Sequence, residues 1–328
     1  MILAPILQTF FTERLQKQKR VSSHTISAYR DTFKLLVCFA KQRLGKNPSD
    51  LLVVDLDVSL IAAFLDHLET ERKNTVRTRN ARFAAIRSFF SFAAFHLPDH
   101  LGQIQRILAM PQKRADRKVV SFLTPPEIEA LLAAPDRDTW IGRRDATLLM
   151  VAIHTGLRVS ELIGLRVSDI AFGTGAHVRC QGKGRKERCT PLQKAAGVLR
   201  DWLAEQNPQP DDLAFPSRHG GLLSRDAVER LVEKYAERAK KATCPSLTGK
   251  RVTPHLLRHT TAVELLRGGN DLAVVALYLG HESVDTTRIY IDADLTVKER
   301  ALARAAPPGI GRRRYRPEDA LLTYLTSL

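Results

Sequence analysis

From Ser23 onward the apolar residues Ile26, Tyr29, Phe33, Leu36 and Phe39 recur at threes and fours. That is the period of a helix burying one stripe, with Ser22 or Ser23 available as its cap. The spacing returns in Ile61, Phe64, Leu65 and Leu68, and again in Phe83, Ile86, Phe89, Phe90 and Ala93. Helices with such stripes cover them with one another, so residues 1–109 predict a small helical bundle. Arg77, Arg79, Arg82 and Arg87 precede or interleave the third stripe and give the bundle a basic face. Taken alone, they fit a solvated helix surface as well as a surface that grips a polyanion.

Residues 110–120 (MPQKRADRKVV) are polar, basic and without periodicity, which predicts a linker. Thr124-Pro125-Pro126-Glu127 then combines a cap, a proline at the first helical position and a glutamate three residues after the cap, the opening of a new helix. Helical patterns run through Leu148 to Ile153 and Glu161 to Leu165. The period changes to alternation around His177 to Cys180 and Cys189 to Leu192, and the glycines of Gln181-Gly182-Lys183-Gly184-Arg185-Lys186-Glu187 between them allow a hairpin turn. Ser224 caps a helix to about Ala239, and Thr253-Pro254 opens one that ends at Gly268-Gly269. Residues 121–305 thus predict a second, mostly helical domain with one small antiparallel sheet, and 328 residues suit two domains at about 150 each. The tail, 306–328, carries Arg312, Arg313, Arg314 and Arg316, then Leu321, Leu322, Leu325 and Leu328 on one stripe.

Lys and Arg number 51 against 35 Asp and Glu, a net charge of +16 spread over both halves. Such an excess suits a polyanion, because each cation set against a phosphate releases condensed counterions; nucleic acid leads and an anionic membrane surface follows. The longest apolar run, Ala146 to Ile153, falls far short of the roughly 18 residues of a membrane span, so no membrane partner is expected. Met1 to Phe11 lacks a basic leader and a small-residue cleavage site, and a cytoplasmic location follows by default. Cys38, Cys180, Cys189 and Cys244 form no C-x-x-C pair, which predicts reduced thiols and no structural metal.

Chemistry concentrates in the second domain. Arg158 follows a glycine break in His154-Thr155-Gly156-Leu157-Arg158, with Glu161 a helical turn later. His255 and Arg258 sit in the first turn of a helix, where i, i+3 spacing points imidazole and guanidinium the same way. Leu279-Gly280-His281 precedes Tyr290 by a short connection, and Lys183 lies on the hairpin. Each member has a plainer explanation: Arg158 and Glu161 as a simple helical pair, His255 as a cap or core residue, Tyr290 as a core aromatic. Gly182-Lys183-Gly184 is a poor phosphate loop, which needs Gly-Lys-Ser/Thr opening a helix. His255 and His259 have the spacing of a zinc pair, but no Glu follows the first His and no third ligand is evident.

The order Arg, Lys, His-x-x-Arg, Leu-Gly-His, Tyr resembles the tyrosine recombinase (phage integrase) family over nearly the whole chain. The resemblance implies a mainly α fold: an N-terminal helical core-binding, SAM-like bundle, then a mostly helical catalytic domain with a small antiparallel sheet, the fold of DNA breaking-rejoining enzymes. It makes Arg158 and Arg258 the catalytic arginines, Glu161 the acid that braces the first, Lys183 the hairpin lysine, His255 and His281 the two histidines and Tyr290 the nucleophile. Arg77, Arg79, Arg82, Arg87, Arg185 and Lys186 become DNA contacts. On this reading Tyr290 attacks phosphorus to give a 3′-phosphotyrosyl link, which conserves the bond energy; His255 takes the phenol proton, Lys183 protonates the leaving 5′ oxygen, and the arginines hold the non-bridging oxygens. No cofactor, metal or ATP is called for. The expected partner is double-stranded DNA with paired half-sites, exchanged through a Holliday junction in a homo-tetramer with room for a second recombinase. The tail is expected to pass between protomers. The start of the chain at the core-binding bundle favours a Xer-like, plasmid or transposon-borne enzyme. A type IB topoisomerase and a non-catalytic DNA-binding protein are the alternatives.

Overall fold

The computed structural model describes residues 1–115, 120–182, 187–281 and 283–293. Contacts divide the chain into two compact units, Met1–Arg117 and Lys118–Leu328.

The first unit is all helical. Helix α1 (Leu3–Thr9) runs on as a π-helical segment, Phe10–Gln18, and is followed by α2 (Ser23–Leu44), α3 (Val58–Thr70), α4 (Val76–Ala93) and α5 (Leu101–Ala109). Ser22 caps α2 by accepting from the Thr25 amide at 3.3 Å, and Thr75 caps α4 in the same way. The stripes read from the sequence meet in one core: Phe33, Phe64, Phe83, Phe89 and Phe90 are fully or almost fully buried together with Phe10, and Phe10 packs edge-on against Phe33 and Phe89. The start of the expected linker is held on this unit. Lys113 Nζ lies 2.6 Å from Glu69 of α3, and its carbonyl accepts from Asn80 Nδ2 of α4 at 2.7 Å.

In the second unit come α6 (Pro125–Ala133), α7 (Trp140–Thr155), α8 (Val159–Ile163), strands β1 (Ile170–Ala171), β2 (His177–Gln181) and β3 (Glu187–Pro191), then α9 (Ala195–Gln206), α10 (Arg225–Ala242), α11 (Pro254–Arg267), α12 (Leu272–Leu279) and α13 (Asp285–Ala293). The strands pair antiparallel in the order β1-β2-β3, and the β2–β3 register sets Cys180 opposite Arg188 and Gln181 opposite Glu187. The capping box forms, with the Thr124 amide donating to Glu127 at 2.8 Å. Lys250 and Ser246 also reach the buried Glu127 carboxylate, at 2.6 and 2.8 Å, which ties α6 to the segment leading into α11.

Helix α11 packs on α7, α12 and α13. Buried Thr261 locks its register on α7 by donating to the Ile153 carbonyl at 2.6 Å. Among the described residues no helix is long and apolar enough to cross a membrane. The tail, 306–328, lies outside the described residues.

Candidate active site

Two helix ends organise the site. Helix α7 stops at Gly156 and α12 at Gly280, both in the left-handed region at φ +60° and +66°, where a residue without Cβ is favoured. Their terminal carbonyls carry the partial negative charge of a helix C-terminus, and two guanidiniums sit on them. Arg258, 6% exposed, donates to the carbonyls of Gly156 and Leu279 at 2.5 Å each. Arg158, the residue before α8, donates to the Gly280 carbonyl at 2.6 Å. Burial first, and then the charge of Arg158, push Arg258 down to about 10, so it remains a cation at neutral pH.

Glu161 is the buried acid that joins these parts. Its carboxylate accepts from the Arg158 amide at 2.8 Å and from Arg158 Nη1 at 3.0 Å. It also takes both Nη groups of Arg188, at 2.9 and 2.8 Å. Burial alone would raise the Glu161 carboxyl, but the hydrogen bonds and charge of Arg188 and the Arg158 amide outweigh it and hold the group below its ordinary range. Arg188 is a residue that sequence reasoning missed. Its signal was available in the strand alternation, which turns Arg188 and Thr190 of β3 inward, and a cation at an inward strand position calls for a buried acid.

Tyr290 of α13 is 2% exposed and belongs to a buried cluster with Val263, Leu266, Val275 and Leu279. Its Oη lies 2.9 Å from His259 Nδ1, and the ring of His281 stacks near it at 6.3 Å. Burial raises the phenol against the lowering charges of Arg258 and Arg158. His281 is held by Thr287 through Nδ1 at 2.7 Å; burial, then Arg258 and Arg158, push it down to about 4, so its ring is neutral. His255 is exposed in the first turn of α11. His259, weighed in the sequence only as half of a zinc pair, is the histidine in contact with the phenol.

Lys183, Arg185 and Lys186 fall outside the described residues. In the first unit, Arg77 is exposed and Arg82 and Arg87 are half-buried, with the Arg87 guanidinium over the Phe83 ring at 5.8 Å. Arg79 departs from the expectation of a surface cation. It is 6% exposed and lies 3.4 Å from Glu69, because position 79 faces α3 across the α3–α4 turn, and its charge serves the interior of the bundle.

A buried phenol that feels the charge of two arginines seated on helix-end carbonyls, with two histidines beside it, lies in a mostly helical unit that follows a helical bundle. Comparison with known proteins names the lineage. Residues 121–296 match the phage integrase family, and residues 9–95 match the phage integrase N-terminal SAM-like domain. The chain is 54% identical to "Putative integrase/recombinase y4rC" of Sinorhizobium fredii, over 99% of this chain and 98% of the relative. It is 31% identical to the tyrosine recombinase XerC of Chlamydia muridarum, over 90% and 96%. Two solved structures share the fold: a XerH site-specific recombinase bound to a palindromic difH substrate (TM-score 0.64, 23% identity, 85% of this chain and 79% of that one) and the Tn1549 transposon integrase in complex with transposon right end DNA (TM-score 0.68, 16%, 93% and 100%). The chain belongs to the phage integrase family and is a tyrosine site-specific recombinase.

Proposed function

We propose that this protein cuts and rejoins double-stranded DNA at paired half-sites through a 3′-phosphotyrosyl intermediate on Tyr290, exchanging strands through a Holliday junction within a homo-tetramer whose C-terminal tails pass between protomers. The observation that carries the reading is the placement of the buried Tyr290 within the field of two arginines, each seated on helix-end carbonyls. A guanidinium has five N–H donors. Arg258 commits two of them to helix-end carbonyls, and Arg158 commits two to Glu161 and Gly280. The remaining donors of each are available for the non-bridging oxygens of a phosphodiester, whose charge grows in the transition state. The neutral His281 has Nε2 left to give one more hydrogen bond.

Attack by the Tyr290 oxygen forms a bond to phosphorus as the bond to the 5′ oxygen breaks. The ester energy stays in the protein–DNA link, so rejoining needs no nucleotide cofactor. Lys183, which lies between β2 and β3 in the sequence, is the acid for the departing 5′ oxygen. A nicked duplex that loses its 5′ fragment after cleavage, incubated with the protein in EDTA, is expected to trap a covalent adduct stable to denaturant. Tyr290→Phe should give none, and an adduct with that variant overturns the reading.

A further inference from the structure

Arg158 is held at two points, the Glu161 carboxylate through Nη1 at 3.0 Å and the Gly280 carbonyl through Nη2 at 2.6 Å, and Arg188 of β3 lies against both. Its two Nη groups fix both oxygens of the Glu161 carboxylate, and Oε1 takes Arg188 and Arg158 together, at 2.9 and 3.0 Å. Its guanidinium also packs so close to the Gly280 turn that a Cβ built on Gly280 would stand 2.8 Å from Nη1 and 3.0 Å from Cζ. The Arg158 side chain is 30% exposed and that of Arg188 11%, so of the two cations Arg158 is the one open to a ligand. Stability alone would not select this arrangement. Among the described residues the buried Nε of Arg188 meets no acceptor, which is costly inside a protein. The Cys180 thiol across the β2–β3 pair, pushed up to about 12 by burial, is neutral and supplies no second anion. A neutral pair of similar volume in place of Arg188 and Glu161 would avoid both costs.

We propose that Arg188 is a positioning residue for DNA cleavage: by fixing the Glu161 carboxylate and packing on the Gly280 turn, it sets where the Arg158 guanidinium lies and keeps its free donors turned to the phosphate. The inference rests on the reading in which Arg158 grips a non-bridging oxygen of the phosphodiester that Tyr290 attacks. Arg188 touches no reacting atom on this account, and its effect reaches the phosphate only through Arg158. With both oxygens held by Arg188, the carboxylate cannot turn, and the single oxygen it offers the Arg158 side chain keeps its place. Take Arg188 away and a buried anion remains, held at Oε2 by the Arg158 amide and in need of a cation. The Arg158 side chain is the group at hand to supply one, so it swings inward to share both oxygens and withdraws from the phosphate. Repulsion between the two guanidiniums across the shared Oε1 opposes the same inward move while Arg188 is present. A lysine at 188 would keep the charge but not the fork that fixes both oxygens.

The test uses the full chain in single-turnover cleavage of a nicked duplex carrying the half-site that this protein selects from random-sequence DNA. Arg188→Met removes the fork and keeps much of the volume. It should bind the half-site within about threefold of the parent and cleave about 10²-fold more slowly, the scale on which a misplaced group costs rate. Arg188→Lys should fall between the two. The same substitution is then made with Arg158 already replaced by alanine. There Arg188→Met should cost less than about threefold, because the group it positions is gone, whereas a loss of folding or general packing would carry over undiminished. A repeat of the full loss of about 10²-fold in Arg158→Ala, or cleavage by Arg188→Met alone within about threefold of the parent, overturns the inference. Should Arg188→Met fail to fold, Arg188→Lys carries the same cycle, and a loss that persists undiminished in Arg158→Ala overturns the inference equally. An adduct from Tyr290→Phe, or none from the parent chain, would instead sink the reading on which it rests.

Discussion

Replacing Arg188 by alanine withdraws a buried, two-pronged partner from the Glu161 carboxylate, which also holds Arg158. The Arg188 side chain is 11% exposed and that of Glu161 6%, and each carboxylate oxygen takes one guanidinium N–H. An exposed ion pair is worth about 0–1 kcal/mol, whereas breaking a buried one from one side costs about 3–5 kcal/mol. Glu161 keeps its two hydrogen bonds from Arg158, so the lower end applies, about 3 kcal/mol. At roughly 2–4 °C per kcal/mol for a unit of this size, the melting midpoint should fall by about 6–12 °C. Thermal melts of Arg188→Ala, Glu161→Gln and the double variant close a cycle whose coupling should reach about 2 kcal/mol. The acid limb adds a check on sign. A carboxyl held below its ordinary range stabilises the fold fully above its unfolded pKa and loses that contribution as pH falls through the folded one. The gap between parent and Arg188→Ala should therefore be full at pH 7 and shrink below about pH 4. A coupling under about 0.5 kcal/mol, or a gap that widens in acid, would refute the reasoning.

Lys183→Ala should lose cleavage of ordinary DNA and regain much of it when the leaving 5′ oxygen is replaced by sulfur, since a thiolate departs without a proton; failure of that rescue in a single-turnover assay moves the acid role elsewhere, with Lys186 next. Gly280→Ala should destabilise the fold by about 1–2 kcal/mol from its left-handed backbone alone. Its added Cβ also meets Arg188 Nη1 at 2.8 Å, so cleavage should fall further than the melt implies, and an unchanged cleavage rate would show that the close approach of Arg188 to this turn does no work.

The fold was legible where one element's own pattern decides it. Ser22 and Thr253 cap the helices expected of them, the Thr124 amide meets Glu127 as the capping box requires, the three stripes of the first unit form its core, and the alternating segments pair antiparallel. What the pattern of one element does not contain is the identity of the group across from it. Arg79 lies on the patterned helix α4, yet whether its charge faces solvent or Glu69 depends on how α3 packs. Arg188 and Glu161 are 27 positions apart, and periodicity says only that Arg188 points inward. His255 and His259, four apart on a helix, have the spacing of a metal pair, which the sequence set aside for want of a third ligand; that a phenol lies against His259 depends on how α13 packs on α11.

The two helix-ending glycines show how closely fold and chemistry are joined here. A chain break after α7 and another after α12 read in sequence as punctuation, yet each break exposes carbonyls at the negative end of a helix, and α11 delivers Arg258 to both. A Cβ on Gly156 would come within 2.7 Å of Leu279, the residue whose carbonyl holds that same guanidinium, so the close approach of α7 to α12 depends on glycine. The helix ends hold both guanidiniums at short distance, and the proposed grip on a phosphate rests on the donors that those carbonyls do not take. The geometry of the site is therefore set by how three helices terminate and cross, and a substitution that leaves every proposed catalytic side chain in place but moves one of those ends should still disable it.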